Sequence, residues 1–225
     1  MLFFKKKKQN TPEEIPTPTV PRSLPPLKIL AISDLHTCFQ EDMKALNRIM
    51  EKENPECICL LGDIAKTDLK ILAKKALERD IPCLSVLGNH DYWGDNDGIR
   101  GLTNLDGKTA DIHGVVIAGI SGAPRYKPGP YAMRTEEEIE AVAGLLPSCD
   151  ILISHESPLN LLSTNRSHSG FQAISSYIKR ANPAIHIFGH HHWQYDDIAD
   201  GTAEVCVYKA AILETDPYSI RHVFS

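Results

Sequence analysis

The 225-residue sequence predicts an α/β (α+β) fold in which helices flank two packed sheets of mixed β-strands. Short apolar runs, each followed by polar loop residues, alternate with helical patterns in the first half of the domain and predict parallel strands. The second half mixes helical stretches with short strand-like runs, which is typical of sheets that contain both strand directions. A hydrophobic content of 42% is sufficient for one full core in a chain of this length.

Residues 1–26 predict a flexible proline-rich tail, and residues 27–225 predict a single domain. The tail holds six prolines and almost no apolar periodicity, which is typical of an extended linker. The apolar start Met1–Phe4 precedes Lys5–Lys8, whereas a signal peptide carries its charge before a longer apolar stretch. No apolar run approaches the roughly 20 residues that span a bilayer. We therefore expect a cytoplasmic protein without stable membrane insertion, whose lysine-rich start binds anionic membranes weakly at most.

The first half of the domain predicts the order β-α-β-α-β. The strands are expected over 28–33, 57–61 and 83–87, where apolar runs are followed by loop residues. Apolar residues recur at helical spacing over 42–53 and 68–79, and prolines follow both stretches. Strands joined through helices in this way favour a parallel sheet with right-handed crossovers.

The second half predicts a more varied set of elements. Two strands are expected on either side of a turn at His113 and Gly114, followed by a loop rich in glycine and proline over 121–131. Thr135 and Glu138 have the spacing of a capping box at the start of a helix over 135–146. The remaining predicted elements are strands over 151–154 and 184–188, a helix over 169–180 between them, and short strands over 204–208, 211–214 and 219–224.

The net charge argues against nucleic-acid binding, and the cysteine pattern argues against disulfide bonds. The formal net charge of -5 provides no basic surface for sequence-independent nucleic-acid binding, so no long nucleic acid is expected as a partner. The six cysteines include no Cys-x-x-Cys pair, and five lie in or beside apolar runs, where a free cysteine behaves as a small hydrophobic residue. We interpret them as reduced thiols of a cytosolic protein. Cys38, two residues after His36, is also assigned to packing.

Five short motifs with metal-ligating side chains occur in the loops after predicted strands. They are Asp34-Leu35-His36, Gly62-Asp63, Gly88-Asn89-His90-Asp91, His155 and Gly189-His190-His191-His192. Any one of them alone is more typical of a turn or a helix cap. The carboxyl ends of strands meet at one crevice in α/β sheets, so the full set predicts a shared metal site. Carboxylate, amide and imidazole ligands suit Mn²⁺, Fe or Zn²⁺.

In this order, the motifs resemble the signature of the calcineurin-like metallophosphoesterase superfamily, from Lys28 to about the C-terminus. The resemblance implies a four-layer αββα sandwich of two mixed β-sheets flanked by helices, with a binuclear metal centre. It also implies two ligand sets that share one bridging residue. The first set is Asp34, His36 and His192, the second is Asn89, His155 and His190, and the bridging residue is Asp63. His90 would face the substrate.

The implied activity is that of a metal-dependent phosphohydrolase in which a hydroxide bridging two divalent ions attacks phosphorus. Manganese is the favoured metal, with iron or zinc as alternatives. Asp63 would fix the spacing of the metal ions, and His90 would donate a proton to the leaving oxygen or stabilise the developing charge.

The substrate is expected to be a small phosphoester. Short loops leave the predicted site open, which favours a phosphodiesterase acting on a nucleotide or another small diester. A phosphomonoesterase and a non-catalytic interaction protein with the same fold remain alternatives. The loops offer Arg125, Tyr126 and His168 as candidate substrate contacts, because arginine binds phosphate and His168 lies just before a predicted helix N-terminus. The sequence does not predict the oligomeric state.

Overall fold

The computed structural model describes residues 21–36, 40–162 and 166–224. Within these ranges the chain forms two six-stranded mixed sheets that pack face to face, with two helices on the outer face of each. This arrangement confirms the predicted four-layer αββα sandwich. Of the helices in the described ranges, none combines the length and the apolar character needed to cross a bilayer.

The first sheet carries parallel strands at its centre and an antiparallel pair at one edge. Its parallel strands are β1 (Lys28–Ser33), β2 (Cys57–Leu60), β3 (Cys83–Ser85) and β4 (Thr103–Asn104). Strands β13 (Lys209–Thr215) and β14 (Tyr218–Phe224) complete the order β14-β13-β1-β2-β3-β4. Helices α1 (Gln40–Glu53) and α2 (Lys66–Leu77) cover its outer face.

The second sheet has the order β11-β12-β10-β9-β6-β5. Its strands are β5 (Thr109–Ile112), β6 (Val115–Ile120), β9 (Ile151–Ser154), β10 (Ile185–Phe188), β11 (Tyr195–Ala199) and β12 (Thr202–Cys206). The outer face is covered by α3 (Glu136–Leu145) and α4 (Gln172–Ala181). The connecting segments contain a small ribbon of β7 (Ala123–Pro124) and β8 (Met133–Arg134) and a 3₁₀ helix (Arg166–His168).

The side chains of β1 show why the central strands are continuously apolar. Ile29 and Ala31 belong to the cluster between the two sheets, whereas Leu30 and Ile32 belong to the cluster under α1 and α2. Successive side chains of a strand point to opposite faces, and both faces of this sheet are covered. A run without polar alternation is therefore expected for a strand in this position.

The structure confirms the hairpin about His113 and the capping box of α3. The Thr135 hydroxyl accepts a hydrogen bond from the Glu138 backbone N–H at 3.3 Å, and the Glu138 carboxylate accepts one from the Thr135 N–H at 2.8 Å.

Strand β11 was not predicted. It is an edge strand with Asp196 and Asp197 exposed to solvent, so it lacks the apolar pattern that identifies buried strands.

Residues 21–26, which the sequence assigns to the tail, pack onto the domain. Leu24 is 4% exposed and joins the cluster between the sheets. Arg22 pairs with Asp150 at 2.6 Å, and the Thr215 hydroxyl donates to the Pro25 carbonyl at 2.6 Å. Prolines at these positions fix an extended conformation that still makes tertiary contacts. The lysine-rich start and Cys38 lie outside the described residues.

Candidate metal centre

The five motifs lie in the loops that follow β1, β2, β3, β9 and β10. Backbone hydrogen bonds join the first two loops, because the His36 N–H donates to the Asp63 carbonyl at 2.7 Å. A further bond crosses between the sheets, from the His190 N–H to Oδ2 of Asp34 at 2.9 Å. The packing of the two sheets therefore brings motifs that are more than a hundred residues apart in sequence to one edge of the sandwich.

The first ligand group consists of Asp34, His36 and His192, whose ligand atoms all lie within 4.8 Å of one another. Nε2 of His192 is 3.4 Å from Oδ1 of Asp34 and 3.4 Å from Nε2 of His36. Oδ2 of Asp34 accepts hydrogen bonds from the Ser33 hydroxyl and the His190 N–H, whereas Oδ1 has no hydrogen-bond partner among the described residues. A buried carboxylate oxygen left in this way favours a bound cation.

The second ligand group consists of Asp63, His155 and His190. Oδ2 of Asp63 lies 3.6 Å from Nε2 of His155, and no described residue forms a hydrogen bond with it. The Asn89 carbonyl oxygen is 3.1 Å from the same nitrogen and can join the group as a ligand. Nδ1 of His155 donates to the Leu61 carbonyl at 2.7 Å, which directs Nε2 toward the other ligands.

Asp63 lies between the two groups. It also belongs to a third set of potential ligands with His36 and His90, so its carboxylate is within reach of ligands from both groups. Oδ1 accepts a hydrogen bond from the His90 backbone N–H at 2.8 Å, and the residue is 1% exposed. This position fits a carboxylate shared by two cations.

The electrostatics favour the protonation state that metal binding needs at Asp34 and His190 but oppose it at His155. Burial opposes ionisation of Asp34, but its contacts with His192, His155 and Ser33 outweigh burial and lower its pKa to about 2. Burial lowers the pKa of His190 to about 4. Burial also acts to lower the pKa of His155, but the carboxylates of Asp63 and Asp34 outweigh it and raise that pKa. An ionised Asp34 and a neutral His190 are both competent ligands at neutral pH.

Five of the predicted ligands have left-handed backbones, which residues other than glycine adopt only rarely. Their φ angles are 55° for Asp34, 52° for His36, 54° for Asp63, 68° for His190 and 58° for His192. Each such conformation costs about 1 to 3 kcal/mol and persists where the surrounding structure enforces it. His190 and His192 therefore lie in left-handed turns, with His192 in the first ligand group and His190 in the second.

Two motif glycines are required by close packing against the ligands. A Cβ on Gly88 would overlap Oδ1 of Asp63 and lie 2.5 Å from the His155 ring. A Cβ on Gly189 would overlap the Ser33 hydroxyl and lie 2.7 Å from Oδ2 of Asp34. These positions therefore exclude every larger side chain unless the ligands move.

Asp91 directly follows His90 in the third motif, a place from which a carboxylate can orient an imidazole. Its carboxylate instead accepts three backbone hydrogen bonds, from Asp63 at 2.8 Å, Ile64 at 3.1 Å and Gly88 at 2.8 Å. It thereby ties together the loops after β2 and β3. Burial and the nearby Asp63 carboxylate raise the pKa of Asp91 to about 7.

The structure places two of the three predicted substrate contacts beside the ligand groups. The Tyr126 hydroxyl accepts a hydrogen bond from the Asn89 amide at 3.0 Å. The His168 ring stacks on His190 with 4.3 Å between centroids. Arg125 instead binds the Glu138 carboxylate at 2.6 Å, next to the capping box of α3. Its guanidinium is therefore occupied by a structural ion pair.

The roles of three residues near the proposed ligands were not identified from the sequence. Glu156 and His191 are buried and lie 3.2 Å apart. The Lys127 ammonium lies 3.9 Å from the centroid of the Tyr131 ring, which stacks on Tyr92. Glu156 and His191 each follow a motif histidine directly, but their contacts depend on how β9 and β10 pair. No local pattern signals Lys127.

Comparisons with known proteins agree with this geometry. The model of the calcineurin-like phosphoesterase family matches residues 27–194. UPF0046 protein K07C11.7 of Caenorhabditis elegans is 32% identical over 112 residues, which cover 48% of this chain and 39% of that protein. The crystal structure of TT1561 of Thermus thermophilus matches with a TM-score of 0.69 at 16% identity, covering 88% of this chain and 99% of that one. The structure of an archaeal phosphodiesterase matches with a TM-score of 0.52 at 14% identity, and the match covers 87% of this chain and 98% of that one.

Proposed function

Because the chain belongs to the calcineurin-like phosphoesterase family, we propose that it is a phosphohydrolase that uses two divalent metal ions to cleave small phosphodiesters. The observation that carries this proposal is a pair of buried carboxylate oxygens, Oδ1 of Asp34 and Oδ2 of Asp63. Neither has a hydrogen-bond partner within the described ranges, and each faces an imidazole nitrogen. Burying an unpaired carboxylate costs several kcal/mol, which a bound cation offsets.

The proposed ligands are the two groups described above, with Asn89 added to the second and Asp63 shared between them. Their oxygen and nitrogen donors suit Mn²⁺ best, with Fe or Zn²⁺ as alternatives. When bound, such a cation pair supplies positive charge that stabilises a phosphoryl group and lowers the pKa of water toward neutrality. Asp63 holds the two groups at a fixed separation, since its carboxylate is anchored by the His90 N–H at 2.8 Å.

The preference for diesters rests on the open side of the site. His90 is exposed, and His192 has 49% of its side chain accessible to solvent. Tyr92 and Tyr126 are exposed nearby, and Tyr126 contacts Asn89 directly. The second organic substituent of a diester can pack on these rings, whereas a monoester has no group to place there. His168, stacked on His190, is a further candidate contact.

We expect metal-stripped protein to be inactive and to recover turnover of bis(p-nitrophenyl) phosphate when Mn²⁺ is added. Steady-state kinetics should give a kcat/KM about tenfold higher for this diester than for p-nitrophenyl phosphate, which corresponds to roughly 1.4 kcal/mol of additional transition-state binding. A higher value for the monoester would support the monoesterase alternative. Failure to cleave either ester with two Mn²⁺ ions bound would indicate a non-catalytic interaction protein.

His90 is expected to stabilise charge on the phosphoryl group. Burial lowers its pKa, and although Asp63 opposes this, His36 and Lys127 lower it further, so a neutral ring that donates a hydrogen bond fits neutral pH. We expect His90→Ala to reduce kcat for the nitrophenyl diester by about 10²- to 10³-fold, with both metal ions retained. A full rate with nitrophenyl esters but a large loss with alkyl leaving groups would instead assign proton donation to His90.

A further inference from the structure

Glu156 is a fully buried carboxylate that belongs to none of the ligand groups found in the described part of the chain. Oε1 accepts a hydrogen bond from the Ser157 N–H at 2.8 Å and lies 3.2 Å from Nε2 of His191. Oε2 has no hydrogen-bond partner among the described residues and lies 3.4 Å from Nε2 of His190.

Two acceptors surround Nε2 of His190. The Ser167 carbonyl lies 2.8 Å away and Oε2 of Glu156 lies 3.4 Å away. A carbonyl cannot donate a hydrogen bond, so the contact with Ser167 requires the proton of a neutral His190 ring to be on Nε2, where the Glu156 carboxylate also faces it. This tautomer leaves the lone pair on Nδ1, and a metal ion binds only the unprotonated nitrogen.

His191 holds the other side of the same carboxylate. Its Nε2 lies 3.2 Å from Oε1 of Glu156 and 3.1 Å from the Ser157 hydroxyl. The imidazole is nearly inaccessible, with 1% of its side chain exposed. Two consecutive histidines are therefore turned onto one buried carboxylate, which restricts the position of both rings.

We propose that Glu156 is a positioning residue for the second metal ion, because it acts with the Ser167 carbonyl to hold the proton of His190 on Nε2 and so keeps Nδ1 free for the metal, while His191 anchors the carboxylate. This inference rests on the proposed two-metal function. Partners that act behind a ligand histidine typically change metal affinity by about 10- to 100-fold.

The test is a calorimetric titration of metal-stripped full-length protein with Mn²⁺. Glu156→Gln keeps the size of the side chain but turns one acceptor into an N–H donor that opposes Nε2–H of His190. We expect it to raise the Kd of the second ion about 10- to 100-fold and to leave the first within about twofold. Unchanged affinity for both ions would overturn the proposal.

Asp150→Asn is the matched control. The Asp150 carboxylate is partly buried and accepts hydrogen bonds from Arg22 at 2.6 Å and from the Val116 N–H at 2.8 Å, and it precedes β9, whereas His155 and Glu156 follow that strand. We expect this variant to bind both ions like the parent protein. If it lost the second ion to the same extent as Glu156→Gln, the effect would belong to the fold and the positioning role would be rejected.

A second measurement does not depend on metal binding or catalysis. Nitrogen-15 spectra of histidine-labelled, metal-stripped protein report which ring nitrogen carries the proton. We expect His190 to be protonated at Nε2 in the parent protein and to populate the other tautomer in Glu156→Gln. Protonation of Nδ1 in the parent would overturn the inference even if the protein hydrolyses esters. The expected spectrum together with no ester cleavage would reject the proposed function alone.

Discussion

Replacing Asp63 with asparagine is expected to abolish turnover and to reduce the bound metal from two ions to one at most. Asp63 is the carboxylate within reach of ligands from both groups. The asparagine carbonyl can still accept the hydrogen bond that the His90 N–H donates to Oδ1 at 2.8 Å. The asparagine NH2 group then takes the place of Oδ2, which lies 3.6 Å from Nε2 of His155. An N–H donor at this position repels a cation. The loss of activity should exceed the roughly 100-fold upper range for residues that act behind a ligand.

Metal analysis and steady-state kinetics of Asp63→Asn test this expectation. The metal-free variant should be more stable than the metal-free parent by roughly 1 kcal/mol or more, because a buried negative charge is replaced by a neutral amide. Asp106→Asn provides a control, since its partly buried carboxylate pairs with Arg134 at 2.6 Å outside the ligand groups. Two bound ions and near-parental activity in Asp63→Asn would contradict the shared position of this carboxylate.

The positions of Asp34 and Asp63 could be predicted because they depend on strand ends alone. Asp34 and Asp63 follow neighbouring parallel strands, whose carboxyl ends necessarily share an edge. His155 carries no local signal of its own, and it was assigned only because the ordered set of motifs resembles a known family. Its contact with the Leu61 carbonyl joins residues 94 positions apart, a relation that no pattern in the sequence specifies.

The features that the sequence did not predict depend on contacts between separate elements of the fold. Glu156 was missed because its partner His191 lies on a neighbouring strand's loop, 35 residues away. The role of Asp91 was not predicted, since its backbone donors come from two separate loops. Leu24 was placed in the tail because local proline content predicts an extended chain but not where that chain docks. Periodicity and motifs describe elements, whereas these roles follow from contacts between elements.

A substitution at Gly189 tests the contact between the loop after β10 and the loop after β1, because a Cβ on Gly189 would meet Ser33 and Asp34. We expect Gly189→Ala to lower the free energy of unfolding by about 1 to 3 kcal/mol, the usual cost of overpacking a core. The new Cβ would overlap the Ser33 hydroxyl, which donates to Asp34 at 2.6 Å. Relief requires Asp34 to move, so the first metal site should weaken as well. Chemical denaturation and Mn²⁺ titration measure the two effects.

A double-mutant cycle with Ser33→Ala separates overpacking from a general loss of stability. Ser33→Ala alone removes a buried hydrogen bond to Asp34 and should destabilise the protein. In the Gly189→Ala background, Ser33→Ala also removes the hydroxyl that the new Cβ overlaps. The loss of stability caused by Ser33→Ala should therefore be smaller in that background, or become a gain. Gly144→Ala is the control, because a Cβ there meets nothing within 4 Å among the described residues and should stabilise α3 by about 0.5 to 1 kcal/mol. Additive effects of Ser33→Ala and Gly189→Ala would mean that the loops after β1 and β10 do not meet as closely as described, and the convergence of the two ligand groups would lose its physical basis.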